Sequence, residues 1–180
     1  MINKNFLNMW NFIVATDIDY LVHSAFIKSL DGEIKNIYRR AYVNKSNNIY
    51  MLNTAVPNTK QTSISNLQKC TSYLFLGTGK TAPTVEDYNL ESAIEYNTTG
   101  LNALNLTILN KTEYDTLKTI ILTVRNDSKE DIGDISEIGY FINADLDAEK
   151  NQVLMLARET FDPVTIKAGE TKSFTLTITL

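Results

Sequence analysis

Residues 173–180 read SFTLTITL, with Phe174, Leu176, Ile178 and Leu180 alternating with Thr175, Thr177 and Thr179. Successive side chains of a strand point to opposite faces, so this period of two predicts a β-strand with one buried face and one wet or lightly packed face. Working back from it, Val164 to Lys167 and a turn at Ala168-Gly169 complete a closing hairpin. Further strands are expected over Val153 to Phe161, Ile135 to Ile142, Leu117 to Val124, Leu104 to Leu109 and Thr71 to Gly77. Asp31-Gly32 lies between LVHSAFIKSL and IKNIYRRAYV, and that dipeptide supplies the backbone a tight hairpin wants. IYMLNTAV, ended by Pro57, reads as another strand, and the polar residues 58–69 read as a loop.

About nine short strands without a strand–helix–strand alternation predict a mainly β fold, an antiparallel β-sandwich over residues 20–180. One short helix is expected near 84–95. Thr84 stands three residues before Asp87 in a capping-box arrangement, and Pro83 precedes it. Leu90, Ala93 and Ile94 would face inward. At the other end, Phe6, Met9, Trp10 and Ile13 recur at helical spacing. Residues 1–19 are therefore expected to form an N-terminal arm with helical character. Two readings stay open for it: docking on another chain through Phe6, Met9 and Trp10, or packing on its own domain.

The composition narrows the chemistry. The 180 residues carry 17 Lys plus Arg against 21 Asp plus Glu, a net charge of −4. A phosphate-backbone binder needs a positive surface, so a nucleic-acid partner is not expected. No apolar run approaches the ~20 residues needed to span a bilayer, and no export signal is read at the N-terminus, so no membrane partner is expected either. One Cys (Cys70) and one His (His23) exclude a disulfide framework and a Cys/His zinc site.

Each motif that suggests catalysis or ligand binding lacks part of its frame. GTGKT at 77–81 resembles a phosphate loop, but Leu74 stands where the first Gly must be, and Ala82-Pro83 follow where a helix must begin. Asp145, Asp147 and Glu149 lack the central Gly and the twelfth-position Glu of a calcium loop; Asp17 and Asp19 fare no better. Arg39 and Arg40 beside Tyr38 and Tyr42 point to opposite faces of a regular strand and make no single basic patch. No catalytic residue, cofactor or metal is expected. Glu137 and Arg158 stand out because both lie in strongly apolar strands, ISEIGYFI and VLMLARETF. Charges in such strands face solvent or, facing inward, are paired. A structural ion pair across neighbouring strands is the expectation.

Three segments, taken in order, resemble a family of tailed-bacteriophage virion proteins. LGTGKTAPTVEDYNLES (76–92) resembles the pattern Gly-Thr-Gly-x-Thr-x-Pro-x-x-x-Asp-x-x-Leu-Glu, which falls here on Gly77, Gly79, Pro83, Asp87, Leu90 and Glu91. ISEIGYF (135–141), with Glu137, Gly139 and Phe141, resembles Ile-x-Glu-(Ala/Ile)-Gly-(Leu/Tyr)-Phe. Residues 154–180 are similar to a closing pattern Leu-x-Ala-Arg-x-x-Phe-x-Pro-Val-Thr, with Arg158, Phe161 and Pro163. The resemblance covers about residues 70–180. It implies a non-enzymatic β-rich structural domain of a virion, whose partners are other virion proteins and copies of itself. At this length a capsid decoration, a collar component or a baseplate component is expected rather than a full fibre. The alternative is a host-surface or carbohydrate-binding module of the tail.

Overall fold

The computed structural model describes residues 1–8, 23–39, 62–67, 71–110, 117–146 and 149–179. Eight strands are described: β1 (His23–Lys28), β2 (Ile34–Arg39), β3 (Thr71–Gly77), β4 (Leu101–Asn110), β5 (Leu117–Asn126), β6 (Ile132–Leu146), β7 (Glu149–Ile166) and β8 (Thr171–Thr179). All pairings are antiparallel. They build a β1–β2 hairpin and two three-stranded sheets, ordered β3–β6–β7 and β4–β5–β8. The result is a β-sandwich-like fold around one continuous apolar core. The strand expected at IYMLNTAV lies outside the described residues.

The two sheets use side-chain alternation differently. In β5, Ile120, Leu122 and Val124 are buried while Thr119, Ile121 and Thr123 are half-buried and Arg125 is exposed. In β8, Phe174, Leu176 and Ile178 are buried and the intervening Thr and Ser residues are exposed. This sheet therefore has one core face and one wet face. In the other sheet burial is continuous: Ser72 to Gly77, Ile135 to Asn143 and Leu154 to Arg158 are buried without a break. Such a sheet must be covered on both faces, and the second cover comes from segments that are not strands.

The first cover is the N-terminus. Residues 1–3 run along β7, with Asn3 N–H donating to Leu156 O at 3.0 Å and Arg158 N–H to Met1 O at 3.0 Å. Residues 4–8 then make one helical turn. Phe6 is 5% exposed and belongs to the core. This corrects the docking-arm reading for Phe6, because its side chain is spent within its own domain. Met9 and Trp10 lie outside the described residues. Asn3 secures the segment: its Nδ2 donates to Asp87 O at 2.8 Å and to Met155 O at 2.7 Å. Asn5 exchanges bonds with the Lys28 backbone and so joins the β1–β2 hairpin to the same corner.

The second cover is the segment from Thr78 to Tyr96, where a helix was expected and none forms. The local capping bonds are made. Thr84 N–H donates to Asp87 Oδ2 at 3.0 Å, and Thr84 Oγ1 to Asp87 Oδ1 at 2.8 Å. Propagation then fails because the chain has better partners. A first helical turn is costly, and it is followed through only when later turns are stabilised. Here Leu90 is drawn onto the sheet, and Ile94 N–H donates to Leu76 O at 2.9 Å while Ala93 bridges Gly77. The segment becomes a strap that lies on the sheet and then pairs with the edge of β3.

The closing hairpin also differs from expectation. β7 continues through Ile166, pairing with the start of β6 (Val164 with Ile135, Ile166 with Ile132), whereas β8 pairs with β5. The turn at Ala168-Gly169 carries the chain from one sheet to the other. Register shifts in β6 between Ile132 and Glu137 bend this end. Fully buried Asn126 fastens the crossing: its Nδ2 donates to Ile166 O at 3.0 Å and Glu130 O at 2.8 Å, and its own carbonyl accepts from Gly169 N–H.

Candidate functional site

The densest polar cluster lies where the strap meets β6 and β7. Arg158, 4% exposed, stands on β7 opposite Gly139 of β6. Glu137, two residues along β6 on the same face, is fully buried. Arg158 Nε donates to Glu137 Oε2 at 2.8 Å, and Nη1 donates to Asp87 Oδ2 at 2.9 Å. Nη2 reaches Glu91 Oε2 at 3.5 Å. The cross-strand ion pair expected from sequence is thus present, and it extends to two strap carboxylates that sequence reasoning did not join to it.

One guanidinium cannot neutralise three carboxylates, and the backbone supplies the difference. Glu137 Oε1 accepts from Gly79 N–H at 3.0 Å and Ser92 N–H at 2.8 Å, and its Oε2 accepts from Glu91 N–H at 3.2 Å. Glu91 Oε2 accepts from the N–H groups of Lys80 (3.0 Å) and Thr81 (2.9 Å). Ser136 Oγ, also buried, donates to Gly79 O at 2.9 Å. Hydrogen bonds to an ionised acceptor are about twice as strong as neutral ones, which offsets burying Glu137.

These contacts explain the GTGKT segment. Backbone amides at a glycine-rich turn form a concave anion seat. In a phosphate loop that seat holds a ligand; here the Glu137 and Glu91 carboxylates fill it, and no helix follows Lys80. Glycine is needed for closeness of approach. A Cβ on Gly79 would lie 2.6 Å from Glu137 Oε1, and one on Gly77 2.5 Å from the Ser92 carbonyl oxygen. Gly139 plays the matching part on β6, where an added Cβ would meet Leu90 Cδ2 at 2.8 Å. Leu90 caps the cluster from above, and Phe141 lies against Phe75, which stacks in turn on Tyr96. Tyr96 is buried, donating to Leu74 O and accepting from Leu76 N–H, which seals the strap against β3.

Titration follows the geometry. Burial pushes the Asp87 carboxyl up, but the Arg158 guanidinium and the Thr84 hydrogen bonds outweigh it and hold the group below its usual range. Glu91 is lowered chiefly by its bonds from Thr81, with smaller contributions from Lys80 and Arg158. Burial works against the charge on Arg158, but Asp87 and Glu137 raise its pKa. The cluster is a closed set of charges with each group engaged by another.

The remaining sequence candidates disperse. Pro83 is half-buried in the strap, and Pro163 is exposed on β7. Phe161 is half-buried and packs on Phe174, with ring centroids 5.8 Å apart, away from the clasp. Cys70, Arg40, Asp17, Asp19 and Asp147 lie outside the described residues, as do the side chains of His23, Arg39, Asp145 and Glu149. Among the described residues no group of three or more His, Cys, Asp or Glu is arranged to hold a metal ion. Sequence reading missed Asn3, Asn126 and Ser136. Their only signal is a short polar residue in an apolar neighbourhood, which is too common to single out. No family model, no curated protein and no solved structure matches the chain.

Proposed function

We propose that the chain is a non-enzymatic structural or accessory protein of a tailed-bacteriophage virion. It would act as a capsid decoration or as a collar or baseplate component, through contacts with neighbouring virion proteins and copies of itself. One observation carries the reading. The three segments that resemble virion proteins are far apart in sequence, yet each sends marked residues to one clasp: Gly77, Gly79, Asp87 and Glu91 from the first, Glu137 and Gly139 from the second, Arg158 from the third. A pattern that spends its polar residues on fastening a strap to a sheet suits a protein whose task is to hold shape under load. The charged groups of the clasp are taken up by one another, which favours a structural role over catalysis.

The test is mass spectrometry and immunogold electron microscopy of purified particles of the source phage, with antibody raised to the purified chain. Peptides of the chain in the particle, with label on the head, collar or baseplate, are expected. Label restricted to the tail tip would favour the host-attachment alternative. Absence of the chain from the particle would refute the proposal.

A further inference from the structure

The two covers of the β3–β6–β7 sheet are far apart in the chain, yet their bonds close a ring. Arg158 N–H donates to Met1 O at 3.0 Å, so the β7 backbone holds the N-terminal segment. Two residues on, Asn3 Nδ2 donates to Asp87 O at 2.8 Å. Asp87 completes the ring, because its Oδ2 accepts from Arg158 Nη1 at 2.9 Å. One residue of β7 therefore holds residues 1–3 with its backbone and the strap with its side chain. Other contacts tie the covers directly to each other. Lys4 N–H donates to Val85 O at 2.8 Å, and the Lys4 ammonium pairs with Glu86.

The rest of the sandwich is held differently. Among the described residues, no hydrogen bond joins residues 1–8 or the strap to β4, β5 or β8. Those strands are joined by their own continuous ladders. Beneath the strap lies an aromatic surface. Phe75 pairs with Gly139 and Tyr73 with Phe141, and Leu90 covers the face on which a Gly139 Cβ would stand. Residues two apart on a strand share a face, so Tyr73, Phe75 and Phe141 lie on the side that the strap closes, together with Glu137. All four are buried.

We propose that residues 1–8 and the strap form a two-part lid that opens as one unit while the β4–β5–β8 sheet stays folded, with Arg158 as the latch that couples the parts. Proteins open in cooperative pieces, and irregular chain fastened by a few bonds opens at a lower free energy than core strands. The ring makes the two covers one such piece. Lifting the strap breaks the Asp87 bonds to Arg158 and Asn3 and removes the Val85 carbonyl from Lys4. Lifting residues 1–3 breaks the same Asn3 bond and frees the Arg158 backbone. Each cover thus loses part of its support when the other leaves. Opening bares Tyr73, Phe75 and Phe141 beside the Glu137 and Arg158 charges, a surface the closed lid withholds from solvent. This device does not rest on the virion reading.

The test is native-state hydrogen exchange of the purified full-length chain in rising, sub-denaturing urea. In the wild type the amides of Asn3, Lys4, Gly79, Ser92 and Ile94 should converge on one opening reaction. That reaction should lie below the one that exposes the amides joining β5 to β8. Asn3→Ala then cuts the ring at its link to Asp87. The Gly79 and Ser92 amides donate to Glu137 and do not touch Asn3. Their exchange should nevertheless accelerate about tenfold, the effect of a lost hydrogen bond spread over the whole unit. Glu91→Ala perturbs the far side of the strap, and it should speed Asn3 and Lys4 by the same factor as Gly79, because coupling is reciprocal. Acceleration confined to residues 1–8 in Asn3→Ala, or to the strap in Glu91→Ala, overturns the coupling. If a variant does not fold, the wild-type isotherms still decide. Covers that open at separate free energies, or only together with the β5–β8 amides, overturn the lid.

Discussion

The two sheets of this sandwich solve the same problem with opposite means. β4–β5–β8 buries one face with Leu and Ile side chains and leaves the other to threonine and water. β3–β6–β7 is buried on both faces, and its second cover is irregular chain: the N-terminal eight residues and the strap from Thr78 to Tyr96. Irregular chain brings many backbone polar groups with it. Those groups need partners once water is removed; the buried Glu137 accepts from three strap amides, and Arg158 holds the Glu137 charge in place. Among the described residues charge is buried in one sheet and not in the other, and this follows from what lies on top of each.

The contrast can be broken most severely at Arg158. Arg158→Met leaves Glu137 charged and buried with only its backbone donors, and should cost about 3–5 kcal/mol in urea denaturation. A loss below about 1 kcal/mol would mean that the amides alone satisfy Glu137. The counterpart in the other sheet is Leu122→Ala on β5, expected to cost about 2–5 kcal/mol by leaving a cavity. The two variants should diverge in acid. The Leu122→Ala penalty should hold steady with pH, whereas the Arg158→Met penalty should shrink as Asp87 and Glu91 protonate.

Asn3→Ala comes next. It leaves the Asp87 and Met155 carbonyls without their Nδ2 donor, and about 1–3 kcal/mol should be lost, read as a fall in thermal midpoint. An unchanged midpoint would show that residues 1–8 cover the sheet without stabilising it. The pH dependence of the wild type sharpens the same contrast. Asp87 and Glu91 are held below their unfolded values. Their contribution is therefore present above the ordinary carboxylate range near pH ~4, and it is lost as pH falls through the folded values. Asp87→Asn should flatten that acid limb of a stability–pH curve; an identical limb would assign acid sensitivity to other groups. At the small end, Lys80→Ala removes a 3.9 Å contact with Asp134 between two exposed side chains. The expected change is within about 0.5 kcal/mol by calorimetry.

How far the clasp was legible follows from the residues themselves. Glu137 and Arg158 announced themselves as charges in apolar strands, a one-dimensional pattern that implies a partner. Asp87 was legible as a cap and as a motif residue. Its local bonds to Thr84 did form, but its Oδ2, which takes the Thr84 N–H, also serves an arginine 71 residues away, which no local pattern encodes. Glu91 gave no signal beyond its place in a motif. The helical spacing around Phe6 left docking and self-packing both open, and the Phe6 side chain lies in the core of its own domain.

The sequence by itself determined the β class and the strand positions of β1 to β8 to within a few residues at most ends, and it marked Glu137 and Arg158 as a charge pair to look for, leaving their burial to the tertiary structure. Period-two alternation, turn dipeptides and misplaced charges are local quantities, and they survive folding because each strand must still put alternate side chains on opposite faces. Tertiary structure alone decided which strands share a sheet, that β7 and β8 part company at the closing turn, and that residues 84–95 abandon a helix their own caps favour. Those outcomes depend on competition between distant partners. A strap with five amides to satisfy gains more from two carboxylates and a free sheet edge than from one further helical turn.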